Sequence, residues 1–372
     1  MSERGGPRIL IAASAMKGTL PARETARALA LGVGEGTRRA FLERLLVADG
    51  GDGTAEVLAA CLRGSRRREA RVRGPLGELH GAVWYAAPQS VAILDLASAC
   101  GARLVAPSPG SPMGASTCGL GDLIRAALDS GASTLLVGLG GSASVDGGMG
   151  AAAALGIRFL DRRGVPLDVG GGALSHLDHV DRSGLDPRIA RTRILLLCDV
   201  TSPLVGPCGA ARRYGPQKGA GPKEVCILEN GLRRLARVLA GPEAPVLERL
   251  PGGGAAGGTA AGLARLLGAR VFAGASTILD LERFDLALGR ADAVLCCEGR
   301  YDGARHPGKI TEEVLRRASR AGVPAAVICA GKGRGAAAPP GTRVISSGGA
   351  RLDAAGLRRL ARLATRDLVG AA

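Results

Sequence analysis

The stretch RILIAASAMKGTL at residues 8–20 decides the fold class. Residues 8–13 form an apolar run short enough to be a buried strand, and the residues after it are small, polar and turn-forming. Pro21 stands where a first helical position lies, and Ala22, Ala26, Leu29, Ala30 and Val33 then recur at helical spacing. Strand, loop and helix in that order open a wound parallel unit. Residues 45–48 repeat the pattern, feeding a turn and a helix from Thr54. The C-terminal end alternates in the same way: strand 293–297, a helix from Thr311, strand 323–329, a short strand at 343–346 and a last helix from Leu352. The middle differs, with paired short strands at 70–73, 82–85 and 91–95 and glycine-rich stretches near 138–150 and 252–258. The expectation is an α/β protein of two domains. Residues 1–75 and 285–372 would build a doubly wound parallel sheet from both chain ends, and residues 76–284 an inserted mixed α/β domain.

Composition narrows the function classes. The 372 residues are 46% apolar, ample for two cores, but only 2% aromatic, which argues against stacking on exposed bases. The formal charge of +16 raises a basic, non-enzymatic nucleic-acid binder as an alternative. Against it, the arginines are spread along helices in pairs such as Arg316-Arg317 and Arg358-Arg359, and only residues 66–68 make a compact basic run. Lysine is rare: Lys17, Lys218, Lys223, Lys309 and Lys332 are the full set. Lysines that survive such an arginine bias are enriched where a compact ammonium is needed, as against phosphate. The nine cysteines form no CxxC pair or zinc spacing and read as reduced core residues of a cytoplasmic protein. No secretory signal is visible, and no apolar run reaches the roughly 20 residues of a membrane span.

Loops after strands carry the candidate chemistry. In the first, AASAMKGTL, Lys17 lies between a strand's carboxyl end and a helix, where open α/β sheets bind ligands and helix N-termini meet phosphate. The run ADGGDGT holds Asp49 and Asp52, which can carry Mg²⁺, among Gly50, Gly51 and Gly53, which let backbone approach a ligand. GLGGSASVDGGMG, residues 138–150, offers Gly140, Gly141, Ser142 and Asp146 as a phosphate cradle with one acid for metal. Farther on, Asp199 ends an apolar strand, and Gln217 and Lys218 sit in an irregular stretch. The last loop, EGRYDGARHPGKI, contains Glu298, Asp302 and Lys309. Residues 303–309 fit the P-loop spacing GxxxxGK, yet Ile310 stands where the metal-binding hydroxyl belongs and Pro307 removes an amide, so a P-loop is rejected. His80, His176, His179 and His306 fall in no triad or metal pattern and read as structural or surface residues.

The ordered series MKGTL, ADGGDGT, GLGGSASVDGGMG, CDVTSPLVGPCGAARRYGPQKGA, GGGAAGG and EGRYDGARHPGK resembles the bacterial glycerate kinase family that includes the glycerate 2-kinases. The resemblance implies a flavodoxin-like domain plus a second α/β domain, with an active site in the cleft between them. It implies an ATP- and Mg²⁺-dependent kinase that phosphorylates D-glycerate, more often than not to 2-phosphoglycerate. Within the motifs, Lys17, Asp199 and Asp302 are the candidate catalytic residues, and Asp49, Asp52 and Asp146 the candidate metal ligands. Gly50, Gly51, Gly140, Gly141, Ser142, Gln217, Lys218, Glu298 and Lys309 are candidates for binding substrate or nucleotide. The expected partners are glycerate and ATP, with no nucleic acid and no membrane, and a homodimer is left open. The sequence departs from the family at Ser14 and Ala15, where Asp and Ser are usual, at Val145 and Ser202 in place of Asn, and at Cys297 in place of Gly. Ala304 and Arg305 replace a Gln and a hydroxyl residue. A kinase for a different small hydroxy acid is therefore the alternative within the same class.

Overall fold

The computed structural model describes residues 6–369 apart from 17, 38, 107–110 and 304–308. The chain divides into two compact units, Met1–Asp49 with Ala275–Ala372, and Gly50–Gly274.

In the first unit five strands lie in the order Phe41–Leu46, Arg8–Ala13, Ala293–Tyr301, Ala325–Lys332 and Thr342–Ser346, and every pair is parallel. Counted along the unit this is the order 2-1-3-4-5 of flavodoxin-like sheets, with its switch point between Arg8–Ala13 and Ala293–Tyr301. The opening strand is buried on both sides, which is why it reads as a continuous apolar run. Ile9, Ile11 and Ala13 pack with Leu29 and Val33 of helix Ala22–Gly36 and with Leu357 and Ala361 of helix Ala354–Val369. Leu10 and Ala12 pack on the opposite face with Leu279, Phe284, Val314 and Leu315, contributed by helices Gly274–Leu281, Phe284–Leu288 and Ile310–Arg320. Arg317, only 9% exposed, ties those three helices together through Asp280, Asp285, Glu313 and the Ser276 hydroxyl. The second strand begins four residues before the expected start at 45, because Phe41, Leu42, Glu43 and Arg44 are exposed on a sheet edge and make no apolar run.

The second unit holds a six-stranded sheet in the order Arg270–Ala273, Arg193–Cys198, Thr134–Gly138, Val91–Asp95, Leu79–Ala87 and Arg66–Arg73. The first four strands are parallel and the last two antiparallel. Helix Thr54–Cys61 and strand Arg66–Arg73, expected in the first unit, belong here by their contacts. The reason is hydrogen bonding: strand Arg66–Arg73 pairs along its whole length with Leu79–Ala87. Arg158–Leu160 and His179–Asp181 form a separate antiparallel pair.

All nine cysteines are free thiols, seven of them at least partly buried, in keeping with their scattered apolar spacing. Both nitrogens of His80 lie at backbone carbonyls, 3.1 Å from Gly81 O and 3.0 Å from Ala99 O, a structural role. No helix among the described residues is long and apolar enough to cross a membrane.

Helices Ala22–Gly36 and Ala354–Val369 touch at Gly32, where an added β-carbon would overlap the Arg358 carbonyl oxygen and lie 2.7 Å from Ala361 Cβ. Two residues on, Gly34 has nothing within 4 Å. Gly32→Ala should therefore destabilise by about 1–3 kcal/mol through overpacking. Gly34→Ala should stabilise by about 0.5–1 kcal/mol, the helix-interior advantage of Ala. Urea unfolding of the two variants tests whether the signs differ.

Candidate active site

In the second unit two glycine loops interlock at the carboxyl ends of the parallel strands. Gly50, at φ +98°, lies so close to the end of strand Arg193–Cys198 that an added β-carbon would sit 2.8 Å from Cys198 N and from Leu197 C. At Gly140 the β-carbon would overlap Gly51 Cα and stand 2.8 Å from Asp52 N. At Gly141, φ +65°, it would overlap the Asp52 carboxylate, and at Gly138 the Asp95 carboxylate. Gly50 and Gly140 are thus required by direct approach of one backbone segment to another, and Gly138 and Gly141 by the carboxylates of Asp95 and Asp52 packed against them.

Asp95, at the end of its strand, accepts Gly53 N–H at 3.2 Å and Ala55 N–H at 3.1 Å. Helix Thr54–Cys61 has no capping side chain of its own at Gly53. Asp95 supplies that cap from a neighbouring strand. Burial pushes its carboxyl up to about 7, the Ala55 and Gly53 amides pull it down, and the nearby Asp52 charge adds to the rise. In the sequence Asp95 reads only as the last residue of the expected strand 91–95, so it is missing from the expected site residues. A better signal existed, because VAILD is a strand ending in an acid just as LLLCD is at Asp199.

The 138–150 loop continues into a buried polar cluster. Lys218 Nζ donates to Ser142 Oγ at 2.7 Å and to the Ser144 carbonyl at 2.6 Å. Burial lowers this ammonium to about 7, with Asp146 acting the other way. Asp146 is fully buried and accepts Thr117 N–H and Thr117 Oγ1–H, each at 2.8 Å, Gly150 N–H at 3.1 Å and Gly148 N–H at 3.2 Å. Both its oxygens are spent on folding the loop. The Asp52 Oδ1 and Ser144 Oγ atoms, by contrast, are buried and carry no hydrogen bond. Gln217 is exposed on the short turn Pro216–Lys218, and Asp199 is half-buried just past strand Arg193–Cys198.

Among the described residues no three His, Cys, Asp or Glu side chains stand close enough together to hold a metal ion. A Mg²⁺ bound mainly by phosphate oxygens and water needs only one or two carboxylates. Asp52 fits that demand through its unpartnered oxygen, 3.6 Å separating its other oxygen from Arg103 Nη2. Asp146 does not fit, since its oxygens already accept four donors.

In the first unit the switch point gathers a second group. Ser14 Oγ donates to Cys297 O at 3.1 Å, fastening the two strand ends. Beside it Glu298 forms an ion pair with Lys309, the residue preceding helix Ile310–Arg320. Burial raises the Glu298 carboxyl, Lys309 lowers it, and the charges of Asp49 and Asp302 raise it further. Asp302 pairs with Arg300 at 3.0 Å. Glu312 is also raised by burial, with the nearby Tyr301 hydroxyl acting the other way. Lys17, and positions 304–308 of the P-loop-like spacing, lie outside the described residues. In the loop after strand Arg8–Ala13, Met16 N–H donates to Leu20 O at 2.9 Å.

The Lys218 environment has a measurable signature. Its value of about 7 lies below the ordinary 10.5, so between those pH values the unfolded chain binds the extra proton and this group makes stability rise with pH. The slope contributed is at most about 1.4 kcal/mol per pH unit. Subtracting the urea-unfolding profile of Lys218→Met from that of the native chain should leave this rise between pH 7 and 10, and a flat difference would refute it.

The glycerate kinase family profile matches residues 9–351. A glycerate kinase of Halalkalibacterium halodurans is 37% identical over 328 residues, covering 88% of this chain and 86% of that protein. The glycerate 2-kinase of Escherichia coli K12 is 38% identical over 304 residues, covering 82% and 80%. A crystal structure from Salmonella typhimurium LT2, described as that of a putative glycerate kinase 2, superposes with a TM-score of 0.82 at 34% identity over 98% of both chains. With the sequence profile, the relatives and the α/β architecture in agreement, the chain belongs to the glycerate kinase family and is a kinase.

Proposed function

We propose that the protein transfers the γ-phosphate of ATP to a hydroxyl of D-glycerate, giving 2-phosphoglycerate. The observation that carries this reading is the interlocked glycine loops of the second unit. Phosphoryl transfer needs close backbone amides, an ammonium and a carboxylate in a preorganised place. Gly140, Gly141 and Ser142 offer amides and a hydroxyl there, Lys218 stands behind them, and Asp52 keeps one buried oxygen unpartnered. Mg²⁺, when bound, neutralises the charge of the transferring group, and Asp52 is the residue proposed to hold it. The residues at the first unit's switch point, Lys309 with Glu298, together with Lys17, are assigned to phosphate or the substrate carboxylate. Asp199 or Asp302 is assigned to accept the acceptor's proton or to share the metal, and Gln217 to line the site.

A different small hydroxy acid as acceptor is the second reading, and one observation favours it. Ser14, standing where an acid is usual, is engaged with the Cys297 carbonyl and so supplies no charge at the switch point.

ADP release should be measured with glycerate, lactate and tartronate, and the glycerate product identified by phosphorus NMR. The expected outcome is turnover with glycerate and a 2-phosphoglycerate signal. Turnover confined to another acid would establish the second reading, and no ADP release with any acid would refute both. Asp199→Asn should lower kcat by at least about 100-fold with the circular dichroism spectrum retained. An unchanged rate removes Asp199 from the mechanism.

A further inference from the structure

The geometry points to Asp95 as a positioning residue, one whose buried carboxylate sets the place of the Asp52 loop and through it the affinity for metal-bound nucleotide. The ligand rests on the proposed function, and the mechanism on three observations. First, Asp95 accepts the N–H of Gly53 at 3.2 Å and of Ala55 at 3.1 Å, the two amides that flank Thr54 at the foot of the loop. Second, its own place is fixed by the sheet, because it pairs in register with Gly138, the last residue of the strand that feeds the 138–150 loop. Third, Gly138 leaves room for the Asp95 carboxylate, which an added β-carbon would overlap. Asp95 therefore joins two loops at one point. It holds the start of helix Thr54–Cys61 while resting against the strand end from which Gly140 and Gly141 approach Asp52.

Gly53, itself at φ +84°, has no side chain to cap its helix. Removing the carboxylate would leave the Gly53 and Ala55 N–H groups without this acceptor beneath the loop. The loop would then find new partners by moving, and the unpartnered Asp52 oxygen would move with it. The carboxylate itself touches neither substrate in this reading. Its effect is exerted through the loop, so it should appear in the binding of metal-bound ATP and not in that of the acceptor acid.

Asp95→Asn keeps the volume but presents an amide group to the two N–H donors. Two readouts are needed. Hydrogen exchange at the Gly53 and Ala55 amides should accelerate by at least about 10-fold, the consequence of losing one of the two acceptor oxygens. The dissociation constant for MgATP, measured by calorimetry, should rise by about 10-fold or more, with the KM for glycerate within about twofold of the native value. Gly138→Ala, which leaves Asp95 intact but forces its carboxylate aside, should reproduce both changes and serves if Asp95→Asn does not fold. Native exchange rates and native MgATP affinity in the folded variants would overturn the inference. So would equal losses for both substrates, the mark of a general structural role. A native protein that binds MgATP but releases no ADP with glycerate would instead refute the proposed acceptor, leaving the exchange and affinity tests of Asp95 to stand.

Discussion

The structure of the second unit depends on backbone lying against backbone at strand ends. Gly50 against Leu197 and Cys198, and Gly140 against Gly51 and Asp52, leave no space for a β-carbon. The same holds farther along, where Gly257, at φ +68°, would meet the Ser144 carbonyl and Gly262 the Gly147 carbonyl. Such contacts bring peptide dipoles to one place without intervening side chains. Ala256, a non-glycine residue at φ 51°, sits next to Gly257 and Gly258.

Buried polar groups hold these loops where glycine only permits them. Asp146 takes four donors from within its own loop and from Thr117, so the helix that begins at Cys118 and the glycine loop are tied to one carboxylate. Glu229 does comparable work on the loop after Asp199, accepting Gly206 N–H at 2.8 Å and pairing with Arg233 at 3.0 Å. Lys218 closes the set by binding the Ser142 and Ser144 side of the cradle. Burying charge is costly, and the displaced values of Lys218 and Asp95 record that cost.

The first unit gathers its switch-point residues by topology. The order of its five parallel strands puts the reversal between Arg8–Ala13 and Ala293–Tyr301, segments from opposite ends of the chain. Ser14 and Cys297 meet there only because both chain ends enter one sheet. The alternation of Ile9, Leu10, Ile11 and Ala12 between two helical layers makes that sheet the core of the unit.

The sequence by itself determined the strand and helix alternation, because period and apolar content report burial directly. Strands Arg8–Ala13 and Val91–Asp95 begin and end where the residues say they should. It also determined where the loops lie and which family they resemble, since glycine, acid and lysine at strand ends leave a local signature. Edge strand Phe41–Leu46 was less legible, as exposure removes the pattern. What each acid does was decided only by the tertiary structure. Asp146 and Asp52 look alike in sequence, each set among glycines, yet one is consumed by four donors and the other keeps an unpartnered oxygen. Asp95 looks like the end of a short strand, yet it caps a helix 40 residues earlier in the chain. The physical reason is that a carboxylate's role is set by which donors surround it. Those donors arrive from strands that are neighbours in the sheet and strangers in the sequence.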